Sequence, residues 1–169
     1  PGQIREPADL VIVATKYSGL YAAGEQIHSA MGPETTLVSL LNGISSEDIL
    51  GEMYDRSRIL DCIAIGMDAV RDGTSLTYQN IGKWQIGSSQ PGQEALLARL
   101  AAFLERAGIP HQVCPDIRRA MWNKFMINVG VNQTCMIYQT DYAGVTAAGP
   151  AMDDMRAAME EVILVAEAE

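Results

Sequence analysis

Lys124, Asn128 and Asn132 recur at positions i, i+4 and i+8 within AMWNKFMINVGVNQ, residues 120–133. At about 100° per residue, an α-helix stacks such positions in one narrow stripe. Their neighbours are mostly apolar, asparagine is a poor helix former, and a buried amide without partners costs about 1–3 kcal/mol. A polar cleft holding a ligand would explain the stripe. So would a solvated face, or asparagines bonded to nearby backbone. In a partly apolar cleft a lysine has its pKa lowered and can deliver a proton near neutral pH. An asparagine one turn on could hold that ammonium or a substrate carbonyl. Such a group suits reduction of a ketone, which needs a proton at the developing alkoxide.

A second pair of polar residues follows two apolar runs. Lys16 comes directly after LVIVAT, and Asn42-Gly43 comes directly after TTLVSLL. In open α/β sheets, ligands bind beyond the carboxyl ends of the strands, so these two positions could line one crevice. Ordinary turn polarity accounts for them equally well, since Asn-Gly pairs and lysines are common in loops. No Ser-His-Asp or Cys-His grouping stands out. Glu160-Glu161 reads as a solvated helix face, and the nine methionines as core filler.

The elements that would position these residues can be read from hydrophobic periodicity. Continuous apolar runs at 10–14 and 35–41 fit parallel strands covered on both faces. Between them, 18–31 has helical spacing and is stopped by Gly32-Pro33. This is a β-α-β unit with an expected right-handed crossover. Ser45 with Asp48 resembles a capping box for a short helix reaching about Met53. Residues 58–65 read as a strand, and Asp72-Gly73 as a hairpin turn. Segments 76–79 and 84–86 complete an antiparallel region. Residues 93–107 form an amphipathic helix with Leu96, Leu100, Phe103 and Leu104 on one face, followed by a C-cap glycine, Gly108. A short strand at 109–113 follows. Pro115-Asp116 opens a long helix through about Tyr138, in which Gly130 would allow another element close approach. A loop holding Gly144, Gly149 and Pro150 precedes a last helix from about Ala151. The order is α/β first and all-helical second, with the boundary near Pro115-Asp116.

Composition narrows the partners. With 48% hydrophobic and 20% charged residues, the chain can bury a core. A net charge of -9 repels phosphate backbones, which excludes nucleic acid as a natural partner. No run of about 18 apolar residues or basic amphipathic stretch points to a membrane. Cys62, Cys114 and Cys135 are odd in number and form no CxxC pair, so they read as small buried hydrophobes in a reducing cytoplasm. No metal site is expected, because His28 and His111 are isolated.

The run DLVIVATK (9–16), then LLNGI (40–44), a glycine-bearing hairpin at 72–87, and AMWNKFMINVGVNQ resemble, in this order, the ketopantoate reductase (2-dehydropantoate 2-reductase) family. The resemblance covers nearly the whole chain. It implies the C-terminal part of a Rossmann-type NADP-binding domain over 1–115. The first helices of an all-α substrate and dimerisation domain would occupy 116–169. It implies an oxidoreductase that uses NADPH to reduce a small 2-keto acid, with Lys124 as the general acid. Asn128 and Asn132 would bind the substrate, and Lys16 and Asn42 would contact the nicotinamide end of the cofactor. A homodimer is the assembly open to it. The family starts with a GxGxxG turn that cradles pyrophosphate at a helix N-terminus. Gly2, Gly19 and Gly24 lack that spacing. The chain therefore reads as an internal segment, inactive alone. Two other readings stay open: a non-catalytic oligomerisation or binding module, and another β-hydroxyacid-type dehydrogenase, since Lys-x-x-x-Asn also occurs there.

Overall fold

Val11, Val13, Leu37, Val38, Ile59 and Leu60 lose nearly all contact with solvent, and the strands that carry them pair in parallel. The computed structural model describes residues 6–169; Pro1 and Gly2 lie outside them. The described residues fall into two compact units that part between Arg118 and Arg119.

The first unit is built on a five-stranded sheet of order β1-β2-β3-β6-β7. Strands β1 (Leu10–Val13), β2 (Thr36–Ser39) and β3 (Ile59–Met67) run parallel. Strand β6 (Ile81–Gly87) pairs antiparallel with β3, and β7 (His111–Val113) pairs parallel with β6. A separate hairpin, β4 (Val70–Asp72) and β5 (Ser75–Thr77), turns at Gly73, whose φ of 57° suits glycine. Asp68 closes the neck of this excursion, accepting hydrogen bonds from the Gln79 and Asn80 amides at 2.8 and 2.9 Å.

Three helices cover the sheet. Helices α1 (Leu20–Gln26) and α2 (Ser46–Gly51) bury Leu20 and Leu50 against Val11, Val13, Leu37 and Ile59. Helix α3 (Glu94–Arg106) buries Leu96, Leu100 and Leu104 in a second cluster with Val38, Leu60, Cys62 and Ile86. Alternate residues of the parallel strands thus face opposite layers, which is why these runs are apolar without a break. Helix α3 ends as anticipated: Gly108 takes φ 67°, and its neighbour Ile109 donates to the Leu104 carbonyl at 2.9 Å.

Gln93 ties this frame together. It is 1% exposed. Its Nε2 donates to the carbonyls of Arg56, Ser57 and Ile59, and its Oε1 accepts from the amides of Ser89 and Gln90. The start of α3 is thereby fixed to the entry of β3.

The second unit holds most of α4 (Ile117–Ile127), a π-helical turn at Asn128–Asn132, α5 (Gln133–Tyr138), α6 (Tyr142–Thr146) and α7 (Pro150–Ala168). Gly130 is buried against α7. A Cβ there would collide with Met159 and lie 3.2 Å from the Met155 carbonyl, so the glycine sets how closely α7 packs.

Four local expectations differ from the structure. The span 18–31 is not one helix but two 3-10 turns flanking the seven-residue α1. Ser45 makes no side-chain cap bond; the neighbouring hydroxyl of Ser46 turns instead to the carboxylate of Glu47. Phe103 is 41% exposed and stands outside the face formed by its helical neighbours. The 139–150 loop contains α6, started by Asp141, whose carboxylate accepts the Gly144 amide at 2.9 Å.

Candidate functional site

Strands β1 and β2 pair Val13 with Ser39. Lys16 and Asn42 each lie three residues past one member of that pair. The shared offset puts both beyond the same carboxyl edge of the sheet, and both are exposed. Lys16 has extended backbone, φ -87° and ψ 156°, and its carbonyl accepts the Gly19 amide at 2.9 Å, so a tight turn begins with it. Asn42 sits in the bend that joins β2 to α2. Gly43 follows with φ 118°, a conformation that L side chains rarely adopt, and that explains the Asn-Gly pair. An ammonium and an amide at adjacent parallel strand ends can hold a polar ligand in the place where open α/β sheets bind them.

The end of β2 and the start of α2, on either side of the Asn42 turn, carry buried polar groups. Ser39, Ser46, Glu47 and Asp61 are at most 5% exposed. The Ser39 and Ser46 hydroxyls are 2.8 Å apart, and Ser46 Oγ donates to Glu47 Oε2 at 2.9 Å. Burial pushes the Glu47 carboxyl up to about 7, against the pull of the Ser46 hydrogen bond. Nearby, the Arg56 guanidinium meets Asp61 Oδ1 at 2.6 Å.

In the second unit the long helix carries the stripe. Lys124 and Asn128 are half-buried and Asn132 is exposed. Asn132 Nδ2 donates to Asn128 Oδ1 at 2.9 Å. The stripe is more than a spacing, because the two amides are locked to each other. Tyr142, on α6, donates its hydroxyl to Asn132 Oδ1 at 2.6 Å. The relay has a direction. A phenol donating to Asn132 Oδ1 leaves Asn132 Nδ2 to donate to Asn128 Oδ1, and so leaves Asn128 Nδ2 as the donor at the end of the chain. An amide donor beside a lysine one turn earlier suits a carbonyl or carboxylate oxygen.

Both asparagines belong to the π-helical turn. Such turns are rare and recur at functional sites. Tyr142 and the π-turn are the parts of the site that spacing alone did not reveal. A tyrosine ten residues past Asn132 in a glycine-bearing loop carries no periodic signal, and one turn of i+5 bonding is too short to register in the residue spacing.

Two cavities among the described residues lie away from these side chains. A groove of about 840 Å³ in the first unit is lined by Leu10, Ile12, Leu100 and Phe103, near the strand entries rather than their carboxyl ends. One of about 390 Å³ in the second unit is lined by Trp122, Met126, Val162 and Ile163, and does not include the Lys-Asn-Asn stripe. Among the described residues, no helix is long and apolar enough to cross a membrane.

Comparison with known proteins adds a lineage to this geometry. The family model described as ketopantoate reductase PanE/ApbA matches residues 2–91, and the one for its C-terminal region matches residues 116–169. A 2-dehydropantoate 2-reductase of Streptococcus pyogenes is 22% identical over 169 residues, 100% of this chain and 55% of that protein. The crystal structure of 2-dehydropantoate 2-reductase from Geobacter metallireducens is similar at a TM-score of 0.83 and 26% identity, covering 94% of this chain and 53% of that one. A D-mandelate dehydrogenase solved with NADH and anilino(oxo)acetate shares the fold at a TM-score of 0.87 and 24% identity, covering 96% and 52%. The chain spans about half the length of the curated relatives it matches.

Proposed function

Because the chain belongs to the ketopantoate reductase family, we propose that it is the part of an NADPH-dependent 2-keto acid reductase that supplies the proton donor and the nicotinamide-end contacts. The observation that carries this reading is the Lys124-Asn128-Asn132 stripe, with its amides oriented by hydrogen bonds within a π-turn. A 2-keto acid reduced at C2 gains a proton on oxygen, and Lys124 is the group of suitable chemistry on that stripe. Asn128 offers an amide N–H to a substrate oxygen, and Asn132 holds Asn128 in that orientation. An adjacent cation and amide donor stabilise charge that builds on the keto oxygen.

The implied cofactor is NADP(H), and the residues present fit its nicotinamide end. Lys16 and Asn42 are exposed, polar and at one carboxyl strand edge, and the Asn42 turn is backed by buried hydroxyls. When bound, the cofactor supplies the hydride. Lys16 contributes positive charge for an anionic group, and Asn42 an amide to orient the ring's substituents. Family membership favours 2-dehydropantoate as substrate, with pantoate as product, and a homodimer as the assembly.

The test is NADPH oxidation by a polypeptide of full family length that carries this segment, with 2-dehydropantoate, other branched 2-keto acids and aryl 2-keto acids as substrates. Turnover highest with a branched 2-keto acid is the expected result. Preference for an aryl 2-keto acid would move the protein to another β-hydroxyacid-type dehydrogenase. No oxidation with any of them would leave a non-catalytic binding module.

A further inference from the structure

We propose that Glu47 is a positioning residue for the turn that carries Asn42, acting through the hydroxyls of Ser46 and Ser39. The relay can be followed atom by atom. Ser46 Oγ donates to Glu47 Oε2 at 2.9 Å, Ser39 Oγ lies 2.8 Å from Ser46 Oγ, and the Leu41 amide donates to Ser39 Oγ at 3.3 Å. Leu41 is the residue before Asn42. All three side chains are buried, at 0%, 5% and 1% exposure for Ser39, Ser46 and Glu47, so solvent is a poor substitute for any member.

The two ends fix the direction of the relay. An amide N–H only donates, an ionised carboxylate only accepts, and each hydroxyl has a single proton. With Glu47 ionised, Leu41 N–H donates to Ser39, Ser39 to Ser46 and Ser46 to Glu47, and every bond is satisfied. A proton placed on Glu47 Oε2, rather than on Oε1 where Ser46 could still donate to Oε2, reverses the carboxyl end. Ser46 then accepts from Glu47 and donates to Ser39, while Ser39 still accepts from Leu41 and loses the acceptor for its own proton. Protonation at Oε2 thus reaches Ser39, the acceptor of the hydrogen bond that anchors the chain beside Asn42.

The charges that face Glu47 are Asp61 of β3, which opposes its ionisation, and Arg56 in the turn before β3, which favours it. Arg56 is held to Asp61 at 2.6 Å and to Asp48 at 3.4 Å, and Arg118 reaches Asp48 at 3.9 Å. With burial as the largest cause, the carboxyl titrates about pH 7, where the relay direction can change under ordinary conditions. That this adjusts cofactor contact rests on the reading of Asn42 above; the relay itself does not.

The test is NMR of this chain across pH 5.5–8.5, following the Glu47 carboxyl carbon and the amides of Leu41, Asn42 and Gly43. The expected result is an inflection near pH 7 on the carboxyl, shared by the three amides. Glu47→Gln removes it from the amides. Ser39→Ala also removes it from the amides while the carboxyl still titrates. Amides that stay flat while the carboxyl titrates would overturn the proposal. So would a carboxyl inflecting near its ordinary 4.5, or coupling that survives Ser39→Ala. NADPH added at fixed pH to a polypeptide of full family length that carries this segment separates the two ideas: with the coupled inflection present, no NADPH-induced shift at 41–43 sinks the cofactor reading and leaves the relay standing.

Discussion

At the scale of single residues, the site divides into groups of different kinds. Lys124 is a proton donor by type, and truncating it removes the donor outright. If the proposed reduction holds, Lys124→Ala in a polypeptide of full family length is expected to lower kcat by about 10²–10⁴-fold, the usual loss for a general acid; unchanged turnover would remove Lys124 from the mechanism. Tyr142 acts at one remove. Tyr142→Phe keeps the ring and deletes the hydroxyl that fixes the Asn132 amide. The loss of one hydrogen bond is worth about 0.5–1.5 kcal/mol, so the expected outcome is a rise of several-fold in KM for the keto acid with kcat nearly kept. A kcat loss as large as that of Lys124→Ala would place Tyr142 in the chemistry itself. Residue types and the i, i+4, i+8 spacing were enough to single out Lys124, Asn128 and Asn132. Tyr142 and Glu47 were not visible that way. Tyr142 meets the stripe only because α6 folds back, and Glu47 reads as the ordinary first-turn acid of a short helix.

At the scale of elements, two contacts hold local geometry that substitution should expose. Gly130→Ala puts a methyl into Met159 and near the Met155 carbonyl. Overpacking of this kind costs about 1–3 kcal/mol, and Met159→Ala in the same chain should recover part of it; urea titration of the two variants checks both. Arg56 donates to Asp61 Oδ1, and among the described residues the Oδ2 of this fully buried carboxyl has no partner. Arg56→Ala should therefore destabilise by about 3–5 kcal/mol, the range for breaking a buried ion pair by removing one partner; a change under 1 kcal/mol in the same titration would show that the pair contributes little to the fold. The parallel strands and α3 were readable in advance because both signals are strong: unbroken apolar runs, and a clean 3.6-residue stripe ended by glycine. The 18–31 segment was not. Its apolar positions are spaced as in one helix, but the backbone tightens into 3-10 turns at both ends, and hydrophobic periodicity is too coarse to register i+3 bonding over three residues.

At the scale of the molecule, Glu47 gives stability a pH dependence opposite in sign to the usual carboxylate. In the fold it keeps its proton to about pH 7, whereas the unfolded chain releases it near 4.5. Between those values the unfolded state binds fewer protons, so stability falls as pH rises. The drop is on the order of 3 kcal/mol. Asp55 and Asp68, held below their ordinary 3.8 by hydrogen bonds, contribute stability that is lost only as pH falls below that value. The intermediate window therefore belongs to Glu47. Denaturation midpoints between pH 4.5 and 7 should decline in the parent chain and flatten in Glu47→Gln; parallel slopes would assign the effect to other groups.

The π-turn also constrains how this chain can change in length. A turn closed by i+5 bonds holds one residue more than an α-helical turn, so 128–132 is in effect a single-residue insertion inside a helix. Removing Val129 or Val131 would let the helix close into regular α geometry. The elements after it would keep nearly the same place, because the π-turn absorbs its extra residue, while the spacing inside the turn would shorten by one. Asn128 and Asn132 would then stand three residues apart instead of four, which alters the hydrogen bond between their amides. The length of the 128–132 segment is therefore a constraint of its own, separate from the identity of the side chains it carries.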